Sequence, residues 1–166
     1  MKTKTLVYFL LLCFFTSNSF ANTPTSSGKY KNWESFTLVT DKGKVCFAQT
    51  KPVKRAPAAI KRNGSRIFVT FRPNENIKDE ISITSGHTYK NSTVSAKSGK
   101  SNFSFFSQGN FAWLLDENEE KKFIKLMKRA TDLMIKGKTK DGAETTDHYS
   151  MMGFTKAYNT AKKVCS

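Results

Sequence analysis

The sequence predicts a mainly β domain, an antiparallel β-sandwich or barrel-like fold with two packed α-helices, and three observations carry this. Between Trp33 and Leu114, short runs rich in β-branched and aromatic residues alternate with turn signals, as half-buried antiparallel strands do. At Asp116 the pattern changes to a helical period, with acids first and bases last, as the helix dipole favours. A second helical pattern follows Ser150 and runs to Cys165.

Each element has its own signal. Trp33-x-x-Phe36-x-Leu38 is the first strand-like run and meets a turn at Asp41-Lys42-Gly43. Val45 to Ala48 is the second and stops before Pro52. Ile67 to Phe71 ends at Arg72-Pro73, and Ile81 to Ile83 ends near Gly86. Shorter runs follow at Thr93 to Ser95, Phe103 to Phe106 and Phe111 to Leu114. Asp116 to Glu120 opens the first helix and Lys128-Arg129 closes it. Phe123, Met127 and Ala130, with Leu126 beside them, form its core-facing stripe. Leu133 to Ile135 reads as another strand and Thr145 to Tyr149 as one more. Ser150 stands where an N-cap would, ahead of Phe154, Ala157, Tyr158 and Ala161.

The N-terminus reads as an export leader. Lys2 and Lys4 precede an apolar run from Leu6 to Phe15, and Ser19 and Ala21 make a small-x-small cleavage site. The run is too short for a bilayer, which needs roughly 20 residues. Cys13 follows Leu12 rather than a small residue, which argues against a lipidated cysteine. Cleavage after Ala21 leaves residues 22–32, rich in Thr, Ser, Pro and Lys, as a flexible lead-in, and residues 33–166 as one domain. The remaining chain is large enough for a single core.

Loss of Lys2 and Lys4 lowers the charge by two, from +15 to +13. That excess suits acidic partners, and it equally suits a solvated coat that keeps an exported protein in solution. Cys13 leaves with the leader. Cys46 and Cys165 then read as one disulfide formed in an oxidising compartment. A reactive thiol pair would want closer spacing or a polarising neighbour. The compartment expected is the periplasm or the secreted fraction.

The densest positive stretch runs from Lys51 to Arg66, with six bases and no acid. As a projecting loop it offers Lys54, Arg55, Lys61, Arg62 and Arg66 as contacts to an acidic envelope component, or to a host-surface or other protein partner. An ordinary solvated hairpin loop is the other reading. The phenylalanines lie mostly in strand-like runs, where core packing accounts for them, so no nucleic-acid partner is expected.

Signals for chemistry are sparse. The histidines are His87 and His148, and neither sits in a metal-ligand spacing, so no metal or other cofactor is expected. Lys136-Gly137-Lys138-Thr139 lacks the upstream glycine of a phosphate loop. Asn91-Ser92-Thr93 and Asn102-Phe103-Ser104 match the glycosylation triplet, which is common by chance. Asp147-His148-Tyr149-Ser150 holds the ingredients of a nucleophilic triad and supports a periplasmic hydrolase as the alternative. Neighbours in a strand point to opposite faces, however, and no Gly-x-Ser-x-Gly elbow occurs.

One resemblance spans nearly the whole chain after the leader. Ile67 to Pro73, Ile81 to Gly86, Tyr89-Lys90, Ala112-Trp113 and Leu126-Met127-Lys128 occur in this order. They lead to Gly137-Lys138-Thr139, Gly142, Thr145-Thr146-Asp147, Tyr149-Ser150, Gly153-Phe154 and terminal Cys165. This resembles the invasion-associated locus B family. The resemblance implies a periplasmic or secreted protein, with some members linked to entry into host cells, and carries no established enzymatic activity or catalytic residues. Met151-Met152 depart mildly from the family pattern while keeping apolar packing.

Overall fold

The computed structural model describes residues 23–91 and 94–166. The expected leader and its cut after Ala21 lie outside them, as do Ser92 and Thr93 of the first glycosylation triplet.

The first layer begins with β1 (Thr25–Tyr30), β2 (Trp33–Thr40) and β3 (Gly43–Thr50). It continues with β5 (Arg66–Arg72), β6 (Ile77–Thr84) and β9 (Phe111–Trp113). The second layer comprises β7 (Val94–Ser98), β10 (Asp132–Lys138), β11 (Glu144–Ser150) and β4 (Lys54–Ala56). Strand β8 (Ser101–Gln108) joins the two, its first half pairing with β7 and its end with β9. Among the described residues this makes one antiparallel sheet of eleven strands in the order β1-β2-β3-β5-β6-β9-β8-β7-β10-β11-β4. It does not close into a barrel, and β1 and β4 remain its edges. The expected mainly β, sandwich-like fold is the one observed.

Alternation explains the core. Cys46, Ala48, Ile67, Val69, Ile81 and Ile83 face inward from the first layer and meet Ala96, Leu133, Ile135 and Tyr149 from the second. Two helices complete it. In α1 (Glu117–Arg129), Asp116 caps the N-terminus by accepting from the Asn118 and Glu119 amides at 2.8 and 3.0 Å. Phe123, Ile124 and Met127 are its buried face, and Phe123 meets Phe103 and Phe105 edge to face. In α2 (Phe154–Cys165), Phe154, Ala157, Tyr158, Ala161 and Cys165 pack against β1, β2, β3 and β5. Its end is fastened by the expected disulfide, Cys46–Cys165, with Cα atoms 5.7 Å apart. No helix among the described residues is long and apolar enough to cross a membrane.

Four expectations need correction. The lead-in is not flexible throughout, because Thr25–Tyr30 forms β1 on the open edge of β2. Its polar side chains are used there: Ser26 Oγ donates to Glu34 Oε1 at 2.7 Å, and Tyr30 Oη bonds Thr160 Oγ1 at 2.8 Å. Lys54–Ala56 is likewise no projecting loop. It pairs with β11 through Ala56–Thr146, Arg55–Asp147 and Lys54–His148.

Ser150 is not an N-cap, since β11 stays paired with β10 as far as Ser150–Asp132 and the helix cannot begin there. Instead Ser150 Oγ accepts from the Met152 amide at 3.2 Å, and Gly153 (φ 95°) precedes the helix. A Cβ on Gly153 would come within 1.8 Å of the Tyr30 carbonyl oxygen, so the turn before α2 seats against the end of β1 only with glycine there. Finally, five of the eight phenylalanines in the strands are not core. Phe36, Phe47 and Phe68 pack on one another on the outer face of the first layer, and Phe106 and Phe111 flank Trp113. The Phe106 and Phe111 rings are exposed there.

Candidate anion-binding cleft

The cleft is built around an ion pair that local sequence does not announce. Arg62 follows the turn after β4 and turns inward, its side chain 1% exposed against 0% for Asp147. Arg62 Nη1 lies 2.8 Å from Asp147 Oδ1 and donates to Oδ2 at 2.9 Å and to the Ser85 carbonyl at 3.2 Å. Nη2 donates to the Ala56 carbonyl at 3.2 Å. Tyr89 Oη donates to Ser85 Oγ at 2.8 Å. Arg62 Nε, Asp147 Oδ1, Ser65 Oγ and Tyr149 Oη are buried without an aligned hydrogen-bond partner. The Oδ1 contact is therefore charge proximity, and the directed bond runs to Oδ2.

Burial shapes the electrostatics here. It raises the Asp147 carboxyl above its ordinary value, with the Arg62 guanidinium and the Ser85 hydroxyl acting against it. It pushes Tyr89 up to about 12, opposed by the bond to Ser85, and lifts Tyr149 well above its usual range.

Arg62 is thus a structural residue and not the surface contact expected of it. It anchors the segment from beneath, while Lys54, Arg55 and Lys61 stay exposed around a cleft of about 620 Å³. Arg55 reaches across and donates to the Arg62 carbonyl at 2.5 Å, which holds one wall. Among the described residues, no acid lines the cleft. Arg66 stands apart, half-buried on β5 opposite Thr84, with Nη1 donating to the Ser65 carbonyl.

The triad ingredients are not brought together. Asp147 faces the core and is held by Arg62, while His148 and Ser150 alternate to the other face of β11. Ser150 Oγ receives the Met152 amide. The described residues hold no group of three or more His, Cys, Asp or Glu arranged for a metal.

Acids gather elsewhere, where α1 meets β6. Glu120 Oε1 accepts from the Ile81 amide at 3.1 Å. Burial pushes its carboxyl up to about 7, and Glu80, Asp79 and Glu117 add to that. Between about 4.5 and 7 the folded protein therefore holds a proton here that the unfolded chain has released. Stability from this site is full below the unfolded value and declines as pH rises through 7. Partial exposure screens the effect to roughly 1 kcal/mol. Urea midpoints measured from pH 5 to pH 8 are expected to fall more steeply for the natural sequence than for Glu120→Gln. Equal slopes would refute the assignment.

No protein-family model matches the chain, no curated protein matches it, and no solved structure matches it.

Of the five cations that the sequence offers as partner contacts, Lys54, Arg55 and Lys61 are exposed around the cleft, Arg62 is buried and Arg66 is half-buried. Sequence reading misses that Asp147 is the partner of Arg62, because the two lie 85 positions apart and no spacing signals the pair.

Proposed function

We propose that this chain is an exported, non-catalytic protein of the periplasm or the secreted fraction that binds an acidic partner through the cleft of Lys54, Arg55 and Lys61. The observation that carries this is three exposed cations around one recess with no acid in its walls, fixed by a buried ion pair. The disulfide supports an oxidising compartment, and the leader-like N-terminus supports export. The resemblance to the invasion-associated locus B family supports a place at the cell envelope or host surface. The hydrolase alternative is disfavoured because Asp147 is turned away from His148 and Ser150 and held by Arg62.

Exposed ion contacts contribute about 0.5–1 kcal/mol each, so the triple variant K54Q/R55Q/K61Q is expected to bind an anionic matrix roughly 10- to 100-fold more weakly. Its elution should move to lower salt, while thermal unfolding stays within a few degrees of the parent. Unchanged retention at every salt concentration would refute this role for the cleft.

A further inference from the structure

We infer that the acidic partner is a linear anionic polysaccharide laid along three adjoining grooves that lead from Lys61 to Lys156. This rests on the binding reading above and names the partner's class.

The cleft already described shares Pro52 and Val53 with a second groove of about 270 Å³ that carries Lys29, Lys31 and Lys51. That groove shares Lys29 and Lys31 with a third, of about 520 Å³, that carries Lys156. All the lysines along this path are exposed, and none lies in an ion pair among the described residues. Glu34 is the one acid in the three linings, and its Oε1 accepts from Ser26.

The path is held by backbone rather than by mobile side chains. Val53 N donates to the His148 carbonyl at 2.7 Å, which ties the junction of the first two grooves to β11. Asn32 N donates to the Met152 carbonyl at 3.2 Å, which ties the β1–β2 turn to the turn before α2. Helix α2 begins in the third groove without an acid in its first turn or a side-chain cap, so the positive end of its dipole adds to the lysine field.

The shape selects among polyanions. A single phosphate or carboxylate would occupy one groove and leave two without a role. Single-stranded nucleic acid would need exposed rings for its bases. Trp33 in the second groove is fully buried with Nε1 donating to the Ser150 carbonyl, and Tyr30 is tied to Thr160. The exposed rings lie on the outer sheet face instead. Asn32, Gln49, Asn63 and Thr155 along the path offer amides and a hydroxyl to sugar hydroxyls.

The test titrates the purified protein with oligogalacturonates from disaccharide to dodecasaccharide at low and physiological salt. Oligodeoxynucleotides and anionic lipid vesicles of matched charge run beside them. Affinity is expected to climb at least about 10-fold with chain length and then level off. K29Q/K31Q/K156Q should remove most of that climb and leave disaccharide binding intact, whereas K54Q/R55Q/K61Q should weaken every length. Thermal unfolding of both variants checks that they fold. Equal affinity for short and long chains, or a silent distal variant, would overturn the track and leave the cleft reading standing. Tighter binding to nucleotide or vesicle would overturn the polysaccharide. Absence of binding to any polyanion at low salt would remove both readings.

Discussion

Asp147→Ala is expected to destabilise the fold by about 3–5 kcal/mol, one of the two largest effects in the molecule. Arginine cannot shed its proton, so the substitution leaves a buried positive charge on Arg62 with only the Ser85 and Ala56 carbonyls beside it. Arg62→Ala should cost a similar amount, since it leaves the Asp147 carboxylate buried and adds a cavity under β4. At about 2–4 °C per kcal/mol for a domain of this size, either change lowers Tm by roughly 6–20 °C. The double variant Arg62→Met/Asp147→Leu removes both charges while keeping volume, and it should recover most of the loss. Denaturant unfolding of the parent, Arg62→Met, Asp147→Leu and this double variant forms a double-mutant cycle. Simple additivity would show that the two charges do not act as a pair. Arg62 is also the base of the cation cleft, so even a folded Asp147→Ala protein should bind an anionic matrix differently.

What the sequence discloses depends on whether a residue's neighbours or its distant partners decide its place. The strand of Ile67 to Phe71 is legible because β-branched and aromatic residues alternate and a proline stops it. Helix α1 is legible because Asp116 caps it and the charges follow its dipole. Strand β1 is not legible. Thr25–Tyr30 has the composition of a loop, and the unpaired edge of β2 decides its state. Strand β4 is hidden for the same reason, its two cations disguising a backbone that pairs with β11. Arg62 looks like Lys61 in the sequence, yet one is buried and the other exposed, because an acid from another strand waits for only one of them. The outer row of Phe36, Phe47 and Phe68 defeats composition too, since alternation alone does not say which face of a sheet lacks a cover.

Opening the disulfide is expected to bring the other large loss. Cys46 and Cys165 are 119 residues apart, and in the chain-entropy model a loop that long contributes about 4–5 kcal/mol by restricting the unfolded chain. Domains of this size are stable by about 5–15 kcal/mol in total, so Cys46→Ser/Cys165→Ser should lower Tm by roughly 8–20 °C. The loss should be global and not a fraying of the last turn alone. Phe154 and Tyr158 are buried, Phe154 packs on Trp33, and Lys44 Nζ donates to the Val164 carbonyl at 3.1 Å, all contacts made by side chains other than the cysteines. A helix held this way stays docked in the native state, so the penalty falls on the unfolded ensemble. The measurement is paired. Urea unfolding of the oxidised protein, the reduced protein and the double serine variant gives the stability, and amide exchange in residues 154–165 reports local opening. Reduced and serine forms should agree with each other and unfold at clearly lower urea, with protection in α2 falling in step with the rest of the core. A midpoint unchanged by reduction would mean that the denatured chain is not restrained by the bond. Loss of protection confined to α2 would place the stabilisation in the native helix instead.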